Sequence, residues 1–206
     1  MSLQPPHIDP DAAAAAAARF AARAAQDVDV AYSVIESPIG PLVGALTQKG
    51  LVALYYEDED DSRNLDSILQ RLASTLSPRI LEAPGRFDEV RRELDEYFER
   101  RRTTFDVPID WALTKPFARR ILQATAAIDF GHTKTYGQVA RLAGNPKAAR
   151  AAGGALNSNP IPIIVPCHRV IGANGKLVGY GGGIDRKIAL LELEGIPLGG
   201  QQSFDI

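Results

Sequence analysis

The chain has a single cysteine, Cys167, among 206 residues, so no intramolecular disulfide can form, and a reducing, cytoplasmic setting is expected. It has three histidines, His7, His132 and His168, spaced too widely for a Cys/His zinc cluster. Neither a metal nor a cofactor is expected. No apolar run approaches the roughly 20 residues that a helix needs to cross a bilayer. The N-terminus has no basic stretch leading into an apolar core, so neither membrane association nor a secretory leader is expected. What remains, 45% hydrophobic and 23% charged residues, is the composition of a globular protein with one large or two small domains.

The net charge of −2 hides an uneven distribution. Residues 1–110 hold 12 Lys and Arg against 20 Asp and Glu, whereas residues 111–195 hold 11 against 4. A basic half in a mildly acidic protein points to a polyanion partner for that half. The same split also fits two oppositely charged domains that attract each other.

Residues 1–28 contain seven consecutive alanines, Ala12 to Ala18, which form a marginal helix at best because alanine buries little surface. They are expected to be a tail. An N-terminal domain over 29–110 opens with three short strands separated by turn residues, Ser37-Pro38-Ile39-Gly40 and Gln48-Lys49-Gly50, predicting a small antiparallel sheet. The acidic run Glu57 to Asp61 reads as a solvated loop. Amphipathic helices follow over Asn64 to Leu76 and around Phe87 to Phe98. Arg100-Arg101-Arg102 reads as a solvated face, and Thr103 to Thr114 as a linker. The domain over 111–206 is mainly helical, so the fold class is α/β of the α+β kind. It begins with a helix at Pro116, and Thr135 caps a short helix over Tyr136 to Leu142. A turn at Ala143-Gly144-Asn145 leads to a second helix, Lys147 to Leu156, completing a helix-turn-helix. This second helix is nearly bare of large side chains, with Arg150 as a lone long cation. Such a surface suits a DNA groove, and equally a tightly packed core. A last helix over Arg186 to Glu194 would be capped by Asp185 and ended by Gly195.

The richest stretch is Ile161-Pro162-Ile163-Ile164-Val165-Pro166-Cys167-His168-Arg169-Val170. Its prolines rule out a helix or an interior strand, so it reads as a rigid extended support presenting Cys167. A cysteine flanked by a histidine and an arginine sits in a setting that lowers a thiol pKa, and the thiolate is the nucleophile. A small buried apolar residue is the other reading of a lone cysteine.

Taken with Thr135-Tyr136-Gly137-Gln138-Val139-Ala140, Gly144-Asn145-Pro146-Lys147-Ala148-Ala149-Arg150, Asn159-Pro160-Ile161-Pro162 and Glu194-Gly195, the Pro166-Cys167-His168-Arg169-Val170 motif resembles the 6-O-alkylguanine-DNA alkyltransferases. The resemblance is strong from Phe117 to Gly195 and weak over Val28 to Tyr56. It implies single-turnover methylated-DNA-protein-cysteine methyltransferase chemistry in the C-terminal domain, with no cofactor. An alkyl group would move irreversibly from a flipped 6-O-alkylguanine in double-stranded DNA to Cys167. It further implies that His168 takes the thiol proton through a water, that Glu194 orients His168, and that Tyr136 assists the departing base. On the DNA side, Arg150 would fill the vacated place in the duplex. The small helix, with Lys147, Ala149 and Gly153, would enter the minor groove, and Tyr136 would crowd the target phosphate. Asn159 would hold the turn before the cysteine, with Arg169 beside it, while the Val170 carbonyl and the Tyr180-Gly181 loop would line the base pocket. A monomer is expected. Where many relatives carry glutamine and tryptophan, this chain has Ala118 and Leu122, and Gly181 stands where some have serine. These departures bear on the pocket wall. Some relatives bind zinc in the N-terminal half, which here has no cysteine. Two other readings stay open: a helix-turn-helix DNA-binding regulator without transferase activity, and a cysteine hydrolase, for which no oxyanion hole is identifiable.

Overall fold

The computed structural model describes residues 9, 11, 28–58 and 63–197. Apart from those positions, the alanine-rich tail and the rest of the acidic run lie outside the described residues. Strands β1 (Val30–Ile35), β2 (Leu42–Thr47) and β3 (Gly50–Tyr56) form the expected antiparallel meander. A fourth strand, β4 (Ile80–Glu82), pairs in parallel with β1, so the sheet is mixed, in the order β3-β2-β1-β4, rather than antiparallel throughout. At three residues, β4 is too short to show a period.

Both faces of the sheet are covered. Val43, Ala45 and Val52 pack with Ile68 and Leu72 of α1 (Leu65–Thr75) on one side. Asn64 caps that helix by accepting from the Ser67 N–H at 2.9 Å. On the other side Ala31, Leu42 and Leu54 meet Val90 and Leu94 of α2 (Asp88–Phe98). The same core continues into Ile121, Val139, Ile161, Val165 and Leu190, so the two halves share one apolar interior and the segments between them are buried at a seam.

Several segments that read as plain surface prove to be stitched down. In the arginine run after α2, Arg100 and Arg101 are exposed as read, but Arg100 adopts φ +60 and the chain turns back on the helix, where the Arg101 and Arg102 N–H groups donate to the Glu96 carbonyl. Arg102 then pairs with Glu96 at 2.8 Å and Asp106 at 3.0 Å, and lies 3.6 Å from the buried Glu93. Asp58, from the acidic run, is held by Arg186 at 2.6 Å. The linker runs along β3, where Leu51 N–H donates to the Pro108 carbonyl and Asp110 N–H to that of Leu51, both at 2.8 Å. At that contact Gly50 has φ +132, and a Cβ there would lie 2.2 Å from the Pro108 oxygen. Gly50→Ala is therefore expected to cost about 2 kcal/mol or more, from an unfavourable backbone region plus a clash with backbone. A lowered urea midpoint at unchanged slope would register it.

The C-terminal half packs α3 (Pro116–Ala126), α4 (Tyr136–Leu142) and α5 (Ala149–Asn157) on one another. Proline at the start of α3 costs no hydrogen bond. Thr135 and Gln138 close a capping box on α4. Helix α5 starts two residues later than the sequence reading, leaving Lys147 in the preceding turn. The last helix, α6 (Ile184–Leu193), begins at Gly183 without a side-chain cap, and Asp185 lies inside its first turn rather than capping it. Short strands β5 (Lys134–Thr135) and β6 (Val170–Ile171) pair in parallel and bring the start of α4 beside the cysteine motif.

Candidate active site

The run from Pro160 to Pro166 is wound, not extended. Prolines remove some donors, but those that remain find local acceptors: Val165 N–H donates to the Ile161 carbonyl at 2.9 Å and Ile164 N–H to that of Pro162 at 2.9 Å. Ile163 is driven to φ +72, a costly conformation for a β-branched residue, with its side chain fully buried. Cys167 then opens a single turn of 3-10 helix with His168 and Arg169. Asn159, just after α5, ties this turn together. Its Oδ1 accepts from Ile161 N–H at 3.0 Å, and its Nδ2 donates to the Val165 carbonyl at 2.8 Å and to Cys167 Sγ at 3.1 Å.

The thiol is 6% exposed, and its surroundings differ from the electropositive setting read from its neighbours in sequence. Burial pushes its pKa up. The Asn159 amide, the Lys187 charge, a backbone N–H and the Tyr180 hydroxyl pull the other way. Arg169 does not figure among these influences because it points elsewhere, with Nε 2.9 Å from Glu194 Oε2, Nη2 2.8 Å from Oε1, and Nη1 donating to the Ile128 carbonyl at 2.5 Å.

Glu194 is the hub behind the cysteine. Its Oε1 also accepts from Tyr97 Oη at 2.7 Å and His168 Nε2 at 2.8 Å. Burial acts to raise its pKa, but the hydrogen bonds and charges of His168 and Arg169 outweigh that and hold it at about 2. With Nε2–H committed to the carboxylate, His168 Nδ1 is the acceptor nitrogen, and it has no hydrogen-bond partner among the described residues. Burial lowers the His168 pKa, against the pull of Glu194, so the ring is neutral near pH 7. Together these groups can take up a proton from a nearby thiol and stabilise the resulting imidazolium.

Lys187, which reads from the sequence as an ordinary helix lysine, is fully buried with Nζ 2.7 Å from the Val170 carbonyl and 3.3 Å from that of Val178. Burial brings its pKa down to about 8, partly opposed by Cys167. The Val170 carbonyl, expected to line a pocket, accepts one hydrogen bond from Lys187. Tyr56 Oη lies 2.7 Å from Tyr180 Oη, so β3 braces the glycine-rich loop over 179–183. A Cβ on Gly182 would sit 2.3 Å from the Tyr56 ring, which explains why a glycine stands there.

Cys167 faces two cavities. One, of ≈ 490 Å³, is lined by Tyr136, Ala149, Arg150, Gly153, Tyr180 and Gly181, among others. Tyr136 packs over Gly153 and donates to the Val178 carbonyl at 2.9 Å. Arg150 and Lys147 are exposed, with Arg150 on the cavity rim and Lys147 outside it. The second cavity, of ≈ 420 Å³, runs toward the N-terminal half. Among the described residues, no cluster could hold a metal ion, and no helix is long and apolar enough to cross a membrane.

Residues 116–196 match the model for the DNA binding domain of 6-O-methylguanine DNA methyltransferase, and residues 30–111 match that for its ribonuclease-like domain. A methylated-DNA–protein-cysteine methyltransferase from Mycobacterium tuberculosis is 45% identical over 163 residues, covering 79% of this chain and 91% of the relative. One from Methanosarcina acetivorans is 42% identical over 164 residues, covering 80% and 97%. Among solved structures, the M. tuberculosis 6-O-methylguanine methyltransferase aligns with a TM-score of 0.67 at 44% identity, over 80% of this chain and 92% of that one. The M. tuberculosis protein in complex with DNA aligns with a TM-score of 0.67 at 42% identity, over 82% and 96%.

Proposed function

The chain belongs to the 6-O-methylguanine DNA methyltransferase family, and we propose that Cys167 is the residue that takes up the methyl group. The activity is repair of 6-O-methylguanine in DNA by a methylated-DNA–protein-cysteine methyltransferase. The observation that carries the assignment is that the only cysteine of the chain faces a cavity shared with Arg150 and Tyr136, while a His168-Glu194-Arg169 network stands behind it.

The step is an in-line displacement. Cys167 Sγ attacks the methyl carbon, the carbon–oxygen bond breaks, and its electron pair stays on the base. The proton lost by the thiol passes to His168 Nδ1 through a water, while the departing guanine gains a proton with help from the Tyr136 hydroxyl. Because burial holds the resting thiol neutral, proton removal belongs to the reaction and is not complete beforehand. Lys187 and the Asn159 amide favour the charge that develops on sulfur.

Chemistry on a base requires taking it out of the stack, and a mispaired lesion is cheaper to extrude. The partner is double-stranded DNA carrying 6-O-alkylguanine. Helix α5 enters its minor groove along Ala149 and Gly153, Arg150 takes the place of the flipped nucleotide, Tyr136 crowds the target phosphate, and Lys147 contacts the backbone. The basic C-terminal half makes affinity fall steeply with salt. The protein acts in the cytoplasm as a monomer.

Incubation with duplex DNA labelled on the 6-O-methyl group tests the reading. Label should move to Cys167 at no more than one equivalent. Label staying on DNA would favour a regulator, and label released to water a hydrolase. Arg150→Ala is expected to slow transfer from duplex DNA by about tenfold or more, corresponding to a lost contact of 1–3 kcal/mol. Transfer from free 6-O-methylguanine should hold near the parent rate. Equal losses on both substrates would remove Arg150 from base extrusion.

A further inference from the structure

The ≈ 490 Å³ cavity, with Tyr136, Arg150 and Gly153 in its wall, is the side from which a nucleotide reaches Cys167. The ≈ 420 Å³ cavity shares Leu156, Asn157, Cys167, Tyr180 and Gly181 with it but has none of Tyr136, Arg150 and Gly153 in its wall. It leads from Cys167 past Pro162 and Tyr180 to Tyr55, Arg63 and Arg71 of the N-terminal half. A methyl group needs roughly the volume of one water molecule, about 30 Å³, so a methyl lesion leaves almost all of this space unused.

Among the described residues, the charged lining of this cavity is of one sign, two arginines and no carboxylate. Arg63 is already committed, 3.1 Å from Asp58 and donating to the Gly181 carbonyl at 3.1 Å. Arg71 is different. Its guanidinium lies 4.5 Å over the Tyr55 ring, a contact that fixes its position without neutralising its charge, and it is exposed with no carboxylate partner among the described residues. A cation held in place at the wall of a recess whose other described charge, Arg63, is already paired is a recognition element for an anion.

Granted that Cys167 is the alkyl acceptor and that substituents larger than methyl extend into the second cavity, we infer that Arg71 selects those ending in an anion, a carboxylate in particular. In such a lesion Sγ attacks the carbon bonded to the guanine oxygen and that carbon–oxygen bond breaks. The electron pair leaves with the guanine; as in the methyl reaction the thiol proton passes to His168 and the guanine is protonated with help from Tyr136, so that in net terms one proton moves from thiol to guanine. The carboxylate-bearing chain stays on sulfur as a thioether, extending toward Tyr55 and Arg71.

Three free nucleobases test the inference: 6-O-methylguanine, 6-O-(3-carboxypropyl)guanine and its neutral isostere 6-O-(3-carbamoylpropyl)guanine, each also placed in duplex DNA. The parent should react with the acid about three- to fivefold faster than with the amide, the scale of one partly exposed ion pair. Arg71→Gln should close that gap, Arg71→Lys should keep most of it, and neither should change the 6-O-methylguanine rate. Equal rates for acid and amide in the parent would overturn the inference. So would an Arg71→Gln variant that slows every duplex substrate alike and no free base, because Arg71 would then serve a DNA phosphate. Absence of methyl transfer by the parent would instead bring down the assignment of Cys167, and with it this inference.

Discussion

Cys167→Ala is expected to abolish methyl uptake completely while leaving duplex binding and the fold in place. The anchor of the turn survives the change, because Asn159 Nδ2 keeps its 2.8 Å bond to the Val165 carbonyl and Oδ1 keeps Ile161 N–H after Sγ is gone. Loss of one small buried atom costs about 1 kcal/mol. The groups assigned to DNA, Arg150, Lys147 and the small face of α5, lie on other elements and are unaffected. In the parent, uptake should stop at one equivalent, because the carbon–sulfur bond of a thioether has a poor leaving group on either side and resists attack by water. Titration of limiting protein with labelled duplex measures both points. Turnover beyond one equivalent, or uptake by the variant, would refute the acceptor assignment.

What could be read from the chain follows the range of the interactions involved. Thr135 as a cap and Asn64 to Leu76 as a helix rest on contacts between residues three or four apart, and both stand in the structure as read. Strand β4 and the stitched linker depend on partners far along the chain, and neither has a period of its own. The electrostatics of Cys167 show the same limit more sharply. Arg169, two residues away, turns its charge onto Glu194. The cation that does reach the thiol is Lys187, from α6, which in sequence is one more charged residue of a helix. Tyr97 and Tyr56 reach the site from the N-terminal half, the first spanning 97 positions to Glu194 and the second 124 to Tyr180. Both look like plain core aromatics until the two halves are packed together. The position of Glu194 at the end of α6 marks it as a carboxylate against the helix field. Only the folded chain shows what offsets that field.

Glu194→Gln should have the second largest effect, on both rate and stability. The parent carboxylate accepts from Tyr97, His168, Arg169 and the Gly131 N–H, and it has no donor role. A glutamine turned either way points an NH₂ group at donors and leaves the buried Arg169 without its counter-charge, an arrangement that typically costs about 3–5 kcal/mol. The pH dependence of stability has a definite sign. A carboxyl held at about 2 when folded stabilises the parent fully above its ordinary value of 4.5, and that stabilisation is lost as pH falls from there toward 2. The variant lacks this loss, so its stability should be lower at neutral pH and flatter on the acid side. The rate separates a proton-path role from mere support. His168 starts neutral and gains charge when it takes the Cys167 proton, so removing the facing carboxylate makes that transfer harder. Single-turnover transfer should slow near pH 7 and recover toward alkaline pH, where thiolate forms without help. If the variant folds and its pH–rate profile has the parent's shape at a lower plateau, Glu194 only braces the turn and has no part in moving the proton.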